Sequence, residues 1–192
     1  AYLARTLGPE TFGILGFGIA ILAYFGHLVV LGSDFYGSRE IARQPEAAGL
    51  LTSRIVGLRL ITSLVALFAY FIVVWFIDQP WTVKLVMVIQ GGGLVVAVIA
   101  LDFVFQGLQR MGAIATRQAA ASLLVLIAVI VLIEGRGAVY VAAAIPVVAT
   151  ALTAIWLIHR IRKSVGPIGF SVRSGERKTM LRVILPLAVS GT

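Results

Sequence analysis

The residues able to do chemistry in this chain are few and scattered. Asp102 is the acid at apparent membrane depth, inside the apolar run 85–105. A carboxylate in such a setting is expensive and marks a functional position by default. Its place near the end of the run allows two readings: a helix-end pair with Arg110 or another basic residue, or a cavity role in gating or cation linkage. Arg39 and Arg43 stand four apart, so a helix would carry both on one face. Glu40, adjacent to Arg39, belongs to a different face. Cations at a membrane surface suit lipid phosphates or the diphosphate of a headgroup. Gln90, with apolar residues before it and glycines after it, suits either a polar cavity or a hydrogen bond between helices.

Catalytic constellations do not form in the sequence. His27 and His159 are isolated, with no His-Glu-x-x-His around either. No two acids sit at the short spacing that a metal-dependent transferase or phosphatase uses. Gly91-Gly92-Gly93 runs on into apolar residues, without the Lys and Ser/Thr of a phosphate-binding loop. The chain has no cysteine, which excludes disulfides and thiolate metal sites. The sequence therefore names no catalytic residue, no metal ligand and no cofactor.

The elements that must position these residues are membrane helices. Hydrophobic residues make up 60% of the chain and charged ones 12%, against about 25% charged in a soluble domain. Mean hydropathy is +1.03. Crossing ~30 Å of hydrocarbon takes about 20 apolar residues as helix. The runs 12–31, 60–77, 85–105, 114–133 and 138–158 meet that need, the fourth only if Arg117 snorkels to the interface. A sixth begins near Leu181. No segment shows the alternation of a barrel strand, so the expected fold is an all-α polytopic bundle. The domain reading is a bundle over 1–160, a basic linker over 161–180 marked by Gly166-Pro167 and Ser174-Gly175, and a new helix from 181 to 192. Ala1 is not methionine and Thr192 falls within an apolar stretch, so we expect a piece of a longer polypeptide.

Charge gives the spans a direction. Of the 16 Lys and Arg residues, thirteen lie in the alternate links 33–59, 106–117 and 159–182. Arg5, Lys84 and Arg136 occupy the other side, each near one acid: Glu10, Asp78 or Glu134. All of the +8 net charge thus falls on one side. Basic links stay cytoplasmic, so the first span is expected to run inward, after a further span upstream. The charges form no face with interleaved aromatics, which argues against nucleic acid. Pro146, mid-span, removes a backbone hydrogen bond and supports a kink or a functional flexure. Pro186 should bend the first turns of the next helix. Gly91, Gly92 and Gly93 permit close helix approach or a hinge.

Three strings carry a family resemblance. The first is Ala4-Arg5-Thr6-Leu7-Gly8-Pro9-Glu10-Thr11-Phe12-Gly13, where Pro9 can open a helix and Glu10 favours its N-terminus. The second runs from Leu31-Gly32-Ser33-Asp34-Phe35-Tyr36-Gly37 to Ser38-Arg39-Glu40-Ile41-Ala42-Arg43, and the third is Asp102-Phe103-Val104-Phe105-Gln106-Gly107-Leu108-Gln109-Arg110-Met111. Together they resemble the prokaryotic polysaccharide-export flippases of the multidrug/oligosaccharidyl-lipid/polysaccharide transporter superfamily. Phe103 and Val104 stand where that family more often has Trp and a second aromatic.

The resemblance implies two helix bundles related by pseudo-symmetry, of which this chain would supply most of the first. It implies alternating-access transport of an undecaprenyl-pyrophosphate-linked oligosaccharide across the inner membrane, for O-antigen or exopolysaccharide. It further implies a cationic cavity, membrane lipid and polysaccharide polymerase machinery as partners, and a coupling cation (proton or sodium) as an option. Arg39, Arg43, Gln90 and Asp102 are the candidate substrate contacts. Two other readings remain: a cation-coupled drug exporter of the same fold, which should carry deeply buried acids, and a membrane polymerase or glycosyltransferase, which needs a large polar catalytic loop.

Overall fold

The computed structural model describes residues 6–30, 32–133 and 138–165, and all of its regular structure is helical. In chain order the elements are α1 (Pro9–Val30), α2 (Ser33–Arg43), a 3-10 turn (Pro45–Ala47), α3 (Ala48–Phe76), α4 (Trp81–Ile99), α5 (Asp102–Gly107), α6 (Met111–Leu132) and α7 (Val139–Val165). Five stretches are long and apolar enough to cross a membrane: Pro9–Arg43, Pro45–Phe76, Trp81–Gly107, Met111–Leu132 and Val139–Lys163. Pro186, most of the expected linker and the start of the next helix lie outside the described residues.

Local chemistry sets the helix ends. Gly8 is left-handed, with φ 84°, and its carbonyl accepts from Phe12 as Pro9 starts α1. Gly32, with φ 70°, turns the chain from α1 into α2. Lys84 donates from Nζ to the Trp75 carbonyl at 3.1 Å, closing the hairpin between α3 and α4. Trp75, Phe76 and Trp81 stand exposed at that hairpin, where an interfacial aromatic belt belongs.

α3 begins at Ala48, well before the expected Leu60. Its early turns are buried through Leu51, Thr52, Ile55, Val56 and Arg59. Protein rather than lipid covers them, so polar residues are tolerated and hydropathy alone misses the start. The expected third span is two helices, broken at Ala100 and Leu101. α7 passes through Pro146 without interruption and continues to Val165, past the expected boundary at 160.

α4 is the central helix, packed against α1, α3 and α7. Its glycine run explains how. Successive residues of a helix point about 100° apart, and each glycine meets a different neighbour. A Cβ on Gly91 would lie 2.9 Å from Tyr70 Cε1 of α3. On Gly92 it would lie 3.4 Å from Val147 Cγ1 of α7, and on Gly93 3.5 Å from Leu22 Cδ2 of α1. The glycines therefore serve packing within a continuous helix. Tyr70 cannot readily give way: its hydroxyl donates to the Met87 carbonyl at 2.8 Å, and Phe25 packs edge-on against its ring at 5.3 Å.

Polar side chains then stitch the helices to each other's backbones. Ser63 Oγ donates to the Leu94 carbonyl at 3.0 Å, Thr62 Oγ1 to the Val29 carbonyl at 2.9 Å, and Gln90 Nε2 to the Leu15 carbonyl at 3.2 Å. Bonds of this kind hold helices together where lipid removes the hydrophobic drive between them. The outer surfaces are apolar, with Leu64, Phe68, Leu126, Ile130 and Ile155 exposed. On this packing, Gly91→Val should lower stability in detergent by about 1–3 kcal/mol, read from chemical unfolding. Gly93→Ala should leave stability unchanged or raise it by up to about 1 kcal/mol; equal losses in both variants would refute the close contact at Gly91.

Candidate functional site

The charged groups gather at one end of the bundle, where Ile41, Ile114 and Ile161 join one core cluster. There α2 packs on α5. A Cβ on Gly37 would sit 2.5 Å from Phe103 Cδ2, and one on Gly107 would sit 2.7 Å from Ile41 Cβ and 2.8 Å from the Ser38 carbonyl. Glycine on each helix lets the two backbones approach. The second and third of the sequence strings are thus packed against each other.

Arg59 is the keystone of this end. Its side chain is 1% exposed. Nε donates to Ser33 Oγ at 2.8 Å, Nη1 to the Ala100 carbonyl at 3.0 Å, and Nη2 to Asp34 Oδ1 at 2.5 Å. The guanidinium lies over the Phe103 ring, 5.1 Å from its centroid. The break after α4 frees backbone carbonyls, which in a membrane need a partner. Ala100, with φ −77° and ψ 86°, leaves the helix, and Arg59 takes its carbonyl. One side chain on α3 therefore secures both the start of α2 and the break between α4 and α5.

Asp102 has a different partner. Arg117 of α6 donates from Nε to Oδ1 at 2.7 Å and from Nη2 to Oδ2 at 2.5 Å. This is a two-pronged charge-assisted pair, the strong geometry for Arg and carboxylate. One expectation is corrected here. Arg117 is buried and does not snorkel, because Asp102 compensates it inside the protein. Asp102 pairs with another basic residue, Arg117, one of the partners that the sequence left open.

The structure spreads the remaining candidates. Arg39 and Arg43 are both exposed on α2, and Arg43 Nη1 is 3.9 Å from Glu40 Oε2, a weak exposed pair. Gln90 is buried between α4 and α1, its side chain lying across Gly18, and its Oε1 has no hydrogen-bond partner. It does not approach Asp102 in the contacts it makes. Arg59, Asp34, Ser33 and Arg117 are the polar residues that sequence reasoning passed over. Arg59 and Arg117 counted only as topology charges. A lone arginine inside Val56-Gly57-Leu58-Arg59-Leu60-Ile61 was the available signal that a buried partner exists.

Removing one partner of a buried ion pair leaves the other uncompensated. Asp102→Asn and Arg117→Gln should each lower stability by about 3 kcal/mol, and the Asp102→Leu/Arg117→Leu chain should recover much of it. Arg59→Leu should lose a comparable amount, and Asp34→Asn less because Asp34 is partly exposed. Chemical unfolding in detergent checks all five; an Arg59→Leu chain as stable as the parent would refute the keystone assignment.

The model of the family described as "Polysaccharide biosynthesis protein" matches residues 1–190, nearly the whole chain. No curated protein and no solved structure matches it. The match takes in all three sequence strings and all five candidate spans. This chain is a multi-pass membrane protein that belongs to the polysaccharide biosynthesis protein family, with a role in making or exporting polysaccharide.

Proposed function

We propose that this protein moves an undecaprenyl-pyrophosphate-linked oligosaccharide, the repeat unit of a surface polysaccharide such as O-antigen or exopolysaccharide, across the bacterial inner membrane by alternating access. The observation that carries the reading is the exposed face of α2, which presents Arg39 and Arg43 at the basic end of a membrane bundle of this family. Guanidinium donors match phosphate oxygens in pairs. The basic end faces the cytoplasm in this reading, by the bias of Lys and Arg in its links. The pyrophosphate meets α2 there, while the polyprenyl tail stays in lipid along the apolar outer surfaces.

The stretch after α7 joins this bundle to a second one, and rocking between the two exposes the sugar outside. The glycine run holds α1, α3 and α7 to α4, so the bundle moves as a body. Within it, Pro146 leaves α7 one backbone hydrogen bond short and lets that helix flex. Gln90 and Asp102 tune the interior in this scheme and leave the headgroup to α2. Polymerase machinery receives the exported unit. A cation-coupled drug exporter is less well supported, because Asp102 lies near one end of its span and is already compensated by Arg117.

The whole protein should restore repeat-unit translocation in a matching flippase-deficient strain, and a folded, expressed protein that fails to do so would refute the proposal. Arg39→Gln/Arg43→Gln should cut translocation about tenfold or more at unchanged expression, as expected for two lost charge-assisted contacts. These 192 residues contain no cysteine, and any cysteine elsewhere in the whole protein is replaced first, so single probes are clean. Gln79→Cys should react with an impermeant maleimide in intact cells and Gln44→Cys should not; the reverse pattern would invert the orientation.

A further inference from the structure

A second cationic feature lies apart from α2. Phe105, Arg110, Gly112, Ala113, Thr116 and Arg160 line a cleft of ≈ 430 Å³ between the α5–α6 junction and the end of α7. Arg110 and Arg160 both reach this cleft, and no Asp or Glu lines it among the described residues. Arg117, the next cation along α6, is bound to Asp102 and is not shared with it. Two guanidiniums lining one opening favour an anion between them.

The floor adds to this field. Gly112 and Ala113 belong to the first turn of α6, whose N-terminus carries partial positive charge. A Cβ on Gly112 would meet nothing within 4 Å, so the opening at that point is wide. Thr116 Oγ1 donates to the Ala113 carbonyl at 3.0 Å, which holds the hydroxyl along the wall.

The surroundings say what kind of anion fits. Arg160 stacks over the Trp156 ring, 5.0 Å from its centroid, and both are exposed. An exposed Trp beside a cation, in the last turns of a span, fits headgroup depth. Next to the two arginines in the chain the surface is apolar: Met111 is exposed after Arg110 on α6, and Ile155 and Leu152 are exposed in the turns that lead up to Arg160 on α7. A charged opening with apolar flanks at that depth matches a phosphate joined to acyl chains.

We infer that the Arg110–Arg160 cleft is a binding site for the phosphate of an anionic membrane phospholipid, held between α6 and α7 and separate from the substrate face on α2. A lipid bound there bridges α6 and α7, which pack against each other. The site does not depend on the transport proposal, and its test reads lipid binding alone.

The whole protein, purified and delipidated, is titrated with phosphatidylglycerol and with phosphatidylcholine, and bound lipid is counted by native mass spectrometry. Phosphatidylglycerol should bind more tightly, and Arg110→Gln/Arg160→Gln should weaken it about thirtyfold, as expected for two cations at a membrane surface. Lys84→Gln, at the opposite end, should leave binding unchanged. A photoactivatable phosphatidylglycerol on the unaltered protein should label the peptides containing 105–116 and 156–160. The assignment is overturned if the double variant binds as the parent does, if labelling falls elsewhere, or if millimolar inorganic phosphate displaces the lipid. The labelling arm decides the matter should the double variant fail to fold.

Discussion

The bundle depends on how closely three helices approach α4. Gly91, Gly92 and Gly93 turn successive faces to Tyr70, Val147 and Leu22, so α3, α7 and α1 each meet the central helix over a glycine. In lipid there is little hydrophobic gain in joining helices, and contact distance governs the attraction. Each glycine forgoes roughly 1 kcal/mol of helix propensity. At Gly91 the close approach of Tyr70 offsets that loss, while Gly92 and Gly93 meet their neighbours at ordinary contact distance. The hydrogen bonds from Ser63, Tyr70 and Gln90 to neighbouring backbones fix the register.

The basic end solves a different problem with the same economy. The membrane helix 81–107 breaks at Ala100 and Leu101, which exposes backbone carbonyls and brings Asp102 into the structure. Arg59 serves the break and Arg117 serves the acid. Both arginines come from neighbouring helices, so the break is held by tertiary contacts rather than by local capping. With those two cations engaged internally, Arg39 and Arg43 remain exposed on α2 and Arg110 and Arg160 line a separate cleft. Arg59 and Arg117 thus hold the fold at this end, while Arg39 and Arg43 stand at its surface.

Much of this was legible beforehand. The existence of five spans followed from apolar runs, and the clustering of charge at one end followed from the links. Helix limits were less so, because a hydropathy window reports what lipid would accept and not what protein can bury. The early turns of α3 show the difference: Thr52, Ser53 and Arg59 are buried by neighbouring elements, and no local pattern marks them. The break at Ala100 was hidden for the opposite reason. Its residues are apolar, and only the carbonyl taken by Arg59 reveals that the helix ends there.

By itself the sequence determined the class, the number of membrane-spanning elements, the charge asymmetry and the family strings, since each depends on residues close together in the chain. It also marked Asp102 and the glycine run as unusual. Only the tertiary structure decided their contacts. Asp102 pairs with a residue one helix away, and each glycine answers to a different neighbour. Arg59 joins groups 25 to 41 positions apart in the chain. Partner choice at such separations is set by how helices dock, and docking is a property of complementary surfaces that no single segment contains.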